Sequence, residues 1–143
     1  MEQKHNMEHF AITVSKFLDK PYSLGGNGQV GFGCINFVEA FLRARGKENI
    51  KTEVDGVNLD NYCAFIENAT QEEIKDKLIK AFDLNGERVK TPMVGDCLVM
   101  KARGGEYFPA IYSGSKTIIT SFLNAGVEVT PMGYYELIGA WRI

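Results

Sequence analysis

The spacing of apolar residues changes at Pro92, and this change limits the fold more than any other feature of the chain. Before Pro92, apolar residues recur at helical spacing, first over about residues 4 to 19. After it come short β-branched and aromatic runs separated by turn residues, at 96–101, 107–113, 117–122, 127–130 and 137–143. Short connections join antiparallel neighbours. The sequence therefore predicts an α+β fold, with N-terminal helices packed on a C-terminal antiparallel sheet of about five strands.

Three further helices are predicted between the first helix and Pro92. One begins at Cys34 and ends at Gly46, and a short one covers about residues 59–66, where Cys63 is expected in the core. The third begins with the capping-box sequence T-Q-E-E at Thr70, and its lysines are expected on a solvated side.

Two residues of the strand region carry more specific predictions. A proline removes a backbone donor, so Pro109 indicates an edge strand or a bulge. Trp141 lies in the last run and is expected to close the core.

Length and composition indicate one ordinary globular domain covering residues 1–143. With 143 residues, 45% hydrophobic and 24% charged, the chain can form one sizeable core. A net charge of −2 gives no basic surface for nucleic acid. No signal peptide or apolar run of membrane-spanning length occurs, so no membrane insertion is expected. Three cysteines without C-x-x-C spacing indicate folding in a reducing cytosol without a disulfide framework.

A glycine-rich stretch at 25–33 runs directly into Cys34. Residues 26–31 match G-x-G-x-x-G, which binds dinucleotides when a strand precedes it and a βαβ unit follows. Here a helix and Pro21 precede it, and no G-K-[ST] ending indicates a P-loop. We therefore expect no nucleotide and no other cofactor.

The two histidines of the chain, His5 and His9, are four residues apart, which is a metal-ligand spacing on a helix. They lie opposite the apolar side of the first helix, and no third histidine exists to complete a site. We therefore expect a solvated surface and no metal.

Cys34 has two interpretations from the residues alone. A thiol at a helix N-terminus lies at the positive end of the helix dipole, which favours the reactive thiolate. The same cysteine also heads an apolar stripe with Phe37, Val38, Phe41 and Leu42, where it would serve as a small buried apolar residue.

Several short motifs follow one another in an order found in a known family. P-Y-S-L-G-G at 21–26 and G-C-I-N-F-V at 33–38 are similar to a Pro-Tyr-x-x-Gly-Gly loop followed by Asp-Cys-Ser-Gly-Phe-Val. P-M-V-G-D at 92–96 matches Pro-x-x-Gly-Asp, and F-P-A-I-Y-S-G at 108–114 is similar to His-Val-Gly-Ile-Tyr-x-Gly. This order resembles the NlpC-type cell-wall peptidases. The ending G-A-W-R-I resembles that of small phage-encoded, tail-associated members.

The resemblance implies a papain-like fold and assigns four residues to a site. Cys34 falls on the nucleophile and Tyr22 on the tyrosine of the loop. Phe108 falls where the family has its basic histidine, and Thr120 falls near the polar residue that orients this base. Tyr22, Phe108 and Thr120 are therefore expected to contact a substrate or ligand beside Cys34.

The departures from the family imply that the enzyme is degenerate. No histidine follows Cys34, and Gly33 replaces the family's aspartate. A cysteine nucleophile needs a base within hydrogen-bond reach, and losing general-base catalysis costs a factor of roughly 10² to 10⁴. The resemblance thus implies a structural or binding protein of a phage tail. It would be made in the host cytoplasm and carried in the virion, with other tail proteins as partners and cell-wall peptide as a further candidate ligand.

Two alternatives stay open at this point. The chain could be a working cysteine endopeptidase or amidase of peptidoglycan stem peptides, with Cys34 as nucleophile. Its base would then be unidentified, since His5 or His9 could serve only if the first helix crossed the site. Alternatively, the likeness to the family is accidental and the chain is an unrelated α+β domain.

Overall fold

The computed structural model of the protein describes residues 2–23, 33–58, 62–123 and 125–143. The helices in these residues are α1 (Glu2–Phe17), α2 (Cys34–Ala44), α3 (Tyr62–Asn68) and α4 (Gln71–Asn85). The strands are β1 (Glu87–Val89), β2 (Cys97–Lys101), β3 (Tyr107–Gly114), β4 (Thr117–Phe122), β5 (Gly126–Pro131) and β6 (Glu136–Arg142), with a 3₁₀ turn at Met132–Tyr134. The predicted α+β class, with helices before the sheet, is confirmed.

The strands form one antiparallel sheet in the order β1-β6-β2-β3-β4-β5. All five predicted strands are present, and β1 is a sixth strand that the spacing of apolar residues does not indicate. It has three residues and pairs with β6, where Glu87 lies opposite Arg142. Three residues are too few for an alternating pattern to be recognised.

The prediction that Pro109 lies on an edge strand or bulge is wrong. β3 lies between β2 and β4, and Pro109 is buried opposite Val99 of β2. The pairing of β3 with β4 begins only at Ile111, so the missing N–H of the proline breaks no bond on that side. On the β4 side of Pro109, the hydroxyl of Thr120 donates to the Pro109 carbonyl at 2.9 Å.

One face of the sheet packs against the helices. Its buried side chains come from α2, α4 and alternate positions of the strands: Ile35, Phe37, Val38, Phe41, Leu42, Ile74, Leu78, Phe82, Cys97, Val99, Ile111, Ile119, Val127 and Trp141. Trp141 is fully buried; its ring lies 5.4 Å from that of Phe82, and its Nε1–H donates to Asp83 Oδ1 at 2.7 Å. The expectation that Trp141 closes the core is confirmed.

The opposite face, here called the outer face, carries a second cluster. Its fully buried members are Leu98, Met100, Ala110, Ile118 and Ala140. The rings of Phe108, Phe122 and Tyr135 pack over them with centroids 5.1 to 6.2 Å apart. Because side chains alternate along a strand, residues next to each other in sequence belong to different cores.

α1 packs antiparallel against α2. The ring of Phe10 lies 5.5 Å from that of Phe41, and the ring of Phe17 lies 5.5 Å from that of Phe37. The start of α1 therefore lies beside the end of α2.

Helical spacing predicts a buried side of the first helix formed by Met7, Phe10, Ala11, Val14, Phe17 and Leu18, and the structure differs from it in part. Phe10 is buried and Phe17 half-buried, but Met7, Ala11 and Leu18 are exposed. Thr13 is buried instead, with its hydroxyl donating to the His9 carbonyl at 2.9 Å. A hydroxyl that bonds its own helix is satisfied without water, which allows a polar residue on the buried side.

α4 begins with the predicted capping box, in which Thr70 and Glu73 bond each other's backbone N–H. Its lysines are not simply solvated. Lys77 and Lys80 both reach Asp55, at 3.4 and 3.0 Å, in the turn formed at Asp55-Gly56. These two lysines therefore connect α4 to the loop that follows α2.

Some predictions fall outside the described residues, namely those for the side chain of Cys63 and for nearly all of the glycine-rich stretch. The extent of the single domain over 1–143 stays a prediction. Among the described helices, none combines the length and apolar character that crossing a membrane requires.

Candidate active site

Cys34 is the first residue of α2, as the sequence predicted. Gly33 precedes it as the N-cap in extended backbone conformation, with φ −74° and ψ 165°. Gly33 has no side chain to cap this helix start, and it stands where the family that the sequence resembles has an aspartate. Cys34 therefore lies at the N-terminal end of the helix dipole without a neighbouring carboxylate at position 33.

The prediction that this position favours the thiolate is wrong. Burial raises the pKa of the Cys34 thiol to about 11, and hydrogen bonds from the backbone N–H groups of Ile35 and Cys34 offset only part of the rise. The residue as a whole is only half-buried, yet the protein atoms packed around its sulfur desolvate the thiolate. The helix N-terminus contributes about 1 kcal/mol, which is less than this desolvation costs.

His9 lies at the other end of α2. Its Nδ1 is 2.6 Å from Nη1 of Arg45, the residue that follows the helix. Since a guanidinium only donates, Nδ1 of His9 accepts this bond. The ten steps from Cys34 to Ala44, the last residue of α2, rise about 15 Å, and a base must lie within about 3 Å of its proton. His9 is therefore not the base for Cys34.

His5 lies farther still along the same direction. The backbone of α1 places it one turn before His9, and α1 runs antiparallel to α2. Each turn adds about 5 Å of separation from the Cys34 end. The backbone of α1 therefore carries position 5 away from the Cys34 end of α2.

Phe108 does not face α2. It lies on the outer face, with its ring 5.1 Å from that of Tyr135 and 6.2 Å from that of Phe122. The preceding residue, Tyr107, packs against the core on the helix-packed side, and strand alternation puts Pro109 on that side as well. The structure gives Phe108 a packing role in the outer cluster and does not bring it to the side that carries Cys34.

Thr120 has a structural role as well. It is buried, and its hydroxyl joins β4 to β3 through the Pro109 carbonyl. By strand alternation it shares the outer face with Ile118 and Phe122. A contact between this hydroxyl and a ligand beside Cys34 is therefore not supported.

Tyr22 is half-buried in the segment that follows α1. This segment runs along β5, because Asp19 N–H donates to the Val127 carbonyl and Val127 N–H donates to the Lys20 carbonyl, at 3.0 and 2.8 Å. Its binding role stays a prediction.

Asp96, the last residue of the P-M-V-G-D motif, is a structural residue that local sequence patterns do not indicate. Asp96 is buried, and it accepts hydrogen bonds from Arg142 Nε and Nη2 at 3.1 and 2.8 Å and from Met93 N–H at 2.7 Å. It thus joins the start of β2 to the end of β6. The motif P-M-V-G-D can be read directly from the sequence. Arg142, which bonds Asp96, lies 46 residues away, and no local pattern indicates this pairing.

Besides Cys34, the described residues offer no metal site and one further free cysteine. In the part of the chain that the structure describes, no three histidine, cysteine or carboxylate side chains are grouped to hold a metal ion. Cys97, the other free cysteine described, is fully buried in the sheet, and burial raises its pKa as well.

Comparison with solved structures identifies the fold. No protein-family model matches the chain, and no curated protein matches its sequence. The NlpC/p60 domain of the peptidoglycan hydrolase SagA aligns over 96% of this chain and 98% of its own, with a TM-score of 0.62 and 19% identity. An NlpC/P60 family protein from Bacillus cereus aligns over 95% of this chain and 39% of its own, with a TM-score of 0.59 and 21% identity. The predicted papain-like fold of the NlpC type is confirmed.

Proposed function

We propose that this chain is a non-catalytic module with an NlpC/p60 fold that acts as a structural or binding subunit of a phage tail. The main support for a loss of catalysis is the distance of the histidines from Cys34. Cys34 begins α2, while His9 bonds Arg45 beyond its end.

The state of the thiol supports the same proposal. Peptide hydrolysis by a cysteine requires thiolate formation and proton transfer to a nearby base. A pKa near 11 in place of 9 leaves about 100-fold less thiolate at pH 7. Absence of a general base costs a further factor of roughly 10² to 10⁴. The chain thus keeps the fold, while thiolate formation and proton transfer to a base are both disfavoured.

The assignment to a phage tail is supported by the resemblance of the ending G-A-W-R-I to small tail-associated members. In this chain that ending belongs to β6, where Trp141 fills the core and Arg142 bonds Asp96. We propose that the protein is made in the host cytoplasm, joins other tail proteins and is carried in the virion. Cell-wall peptide is a further ligand of the same module.

The catalytic part is tested by incubating the protein with peptidoglycan fragments and measuring the stem peptides released. We expect no release above buffer, for the protein and for Cys34→Ala alike, while an active NlpC/p60 hydrolase releases them in parallel. Release that disappears in Cys34→Ala would contradict the proposal and establish a working cysteine peptidase or amidase. Calorimetry with the same fragments measures binding without turnover.

The tail assignment is tested on particles purified from the strain that encodes the chain. We expect an antibody against the protein to detect it in the tail fraction, at a constant ratio to the other tail proteins. A protein found only in the host cell and never in particles would overturn this part of the proposal.

A further inference from the structure

Asn85, the last residue of α4, holds residues 50–58, a segment here called the strap, against that helix. Its side-chain oxygen accepts from Lys51 N–H at 2.6 Å, and its side-chain nitrogen donates to the carbonyls of Lys51 and Ala81 at 2.9 and 2.8 Å. All three partners are backbone groups, so the orientation of the amide is fixed by them. The attachment needs one acceptor and two donors, which a side-chain amide supplies and a carboxylate does not.

The residue after Asn85 must be glycine for a steric reason. A Cβ added to Gly86 would collide with the carbonyl oxygen of Arg142 and would lie 2.7 Å from Cγ1 of Ile143. The first of these atoms belongs to the backbone of β6, which pairs with β1 directly after this glycine, so it cannot rotate away. The fold therefore requires an Asn-Gly sequence at the point where the strap is attached.

An Asn-Gly sequence is chemically labile. The backbone nitrogen of the glycine attacks the side-chain carbonyl carbon of the asparagine, a C–N bond forms, and the side-chain nitrogen leaves as ammonia with the proton of the glycine N–H. Water then opens the resulting cyclic imide at one of its two carbonyls, which gives aspartate or isoaspartate. Glycine favours the attack because it has no side chain and leaves the backbone free to approach. The net change is the replacement of an amide by a carboxyl group.

The folded protein opposes this reaction at Asn85 in two ways. The N–H of Gly86 donates to the Phe82 carbonyl at 2.9 Å, so the attacking nitrogen is held by the last turn of α4. The side-chain amide is held by Lys51 and Ala81, so its carbon cannot rotate toward that nitrogen without breaking these bonds. Reaction therefore requires that the strap detaches and the end of α4 opens.

We propose that Asn85 is a deamidation site that the strap protects, and that its conversion releases the strap irreversibly. An aspartate at position 85 has no donor for the carbonyls of Lys51 and Ala81, and its charged carboxylate lies against both carbonyl oxygens. Isoaspartate also lengthens the main chain by one methylene directly before Gly86. A chain whose strap has opened is thus marked by a covalent change. This site does not depend on the chemistry of Cys34.

The protection is tested by incubating the protein at neutral pH with and without urea and following the Asn85 peptide by mass spectrometry. We expect deamidation at least about tenfold slower in the native protein, because three side-chain hydrogen bonds must first break. In urea, the other Asn-Gly sequence of the chain, at 27–28, is the internal reference and should react at a similar rate. Equal rates at Asn85 with and without urea would overturn the proposal.

A pair of strap variants tests whether the strap provides the protection. Asp55→Asn removes the ion pairs with Lys77 and Lys80, so the strap should open more often and Asn85 should deamidate about two- to fivefold faster in the native protein. Glu53→Gln removes the same charge from an exposed position of the same strap and should leave the rate unchanged. Equal rates in the two variants would refute the role of the strap.

The release of the strap is tested by hydrogen exchange in Asn85→Asp. The N–H groups of Val54 and Val57 bond each other's carbonyls at 2.8 and 2.9 Å, and in this variant they should exchange at least about tenfold faster. Asn49→Asp, at an exposed position just before the strap, is the matched control and should leave their exchange unchanged. Protein deamidated by long incubation is measured in the same way, which decides the point if Asn85→Asp does not fold. Unchanged exchange in the deamidated protein would overturn the proposal.

Discussion

The two ends of α2 differ in what a catalytic site requires. The N-terminal end has the thiol of Cys34, half-buried and with its pKa raised. The C-terminal end has an exposed imidazole, His9, with Nδ1 bonded to Arg45. A nucleophile and a base are both present in the chain, but a helix of 11 residues separates them.

The direction of α1 causes this separation. Two ring contacts, Phe10 with Phe41 and Phe17 with Phe37, fix α1 antiparallel to α2. A parallel arrangement would carry the histidines toward Cys34, but it would break both contacts. Helix packing, and not only the lack of a histidine on the sheet, therefore keeps a base away from the thiol.

The largest expected effect comes from Phe41→Ala. Phe41 is fully buried and contacts Phe10, Phe17 and Phe37, so its loss should lower the free energy of unfolding by about 3–5 kcal/mol. Urea unfolding measures this change. Leu84→Ala, at a 45% exposed position of α4, is the control and should stay within about 0.5 kcal/mol. A loss below about 1 kcal/mol for Phe41→Ala would mean that these rings do not fix α1.

The second prediction concerns the reactivity of Cys34. Alkylation by iodoacetamide, followed for the Cys34 peptide by mass spectrometry, should rise to half its maximum near pH 11. At pH 7 the folded protein should react about 100-fold more slowly than the same cysteine in urea, because burial disfavours the thiolate. The urea-unfolded chain is the matched control. A midpoint below pH 9 in the folded protein would show an activated thiol and favour the hydrolase alternative.

The third prediction returns a histidine to the position where the family has one. Phe108→His should not create hydrolysis, because position 108 lies among the outer-face rings and not on the side of α2. It should lower the free energy of unfolding by about 1–3 kcal/mol through lost ring packing.

Tyr134→His is the control for that substitution, since Tyr134 is exposed and should tolerate histidine within about 0.5 kcal/mol. Release of stem peptides by Phe108→His that also requires Cys34 would show that position 108 does reach the thiol.

Local patterns in the sequence predicted much of the fold. The capping box at Thr70, the start of α2 at Cys34 and the burial of Trp141 depend on residues close in sequence or on strong apolar character, and the structure has all three. The sequence does not indicate β1 because this strand forms by pairing with β6, which lies more than 45 residues away in the chain. Pro109 was misplaced because strand order is a tertiary property.

The site was less predictable than the fold. Sequence position placed Cys34 at a helix start, but its pKa depends on the packing around its sulfur, which no spacing reveals. Phe108 and Thr120 were assigned to the site by aligning short motifs with those of the family. A loose motif match does not show which face of a sheet a residue lies on, and both residues lie on the outer face. The relative direction of α1 and α2, which decides where His9 lies, follows only from ring contacts between them.

The smallest expected effect comes from His9→Ala at the far end of α2. His9 is exposed, and its one described side-chain bond is to Arg45, so the free energy of unfolding should change by less than about 0.5 kcal/mol. Glu8→Ala, at the neighbouring exposed position, is the matched control. The rate at which Cys34 is alkylated should be the same in both variants as in the parent, because neither side chain lies near the thiol. A slower alkylation in His9→Ala alone would mean that α1 brings its histidine to Cys34 in solution, and the contrast between the two ends of α2 would then no longer support the proposed loss of catalysis.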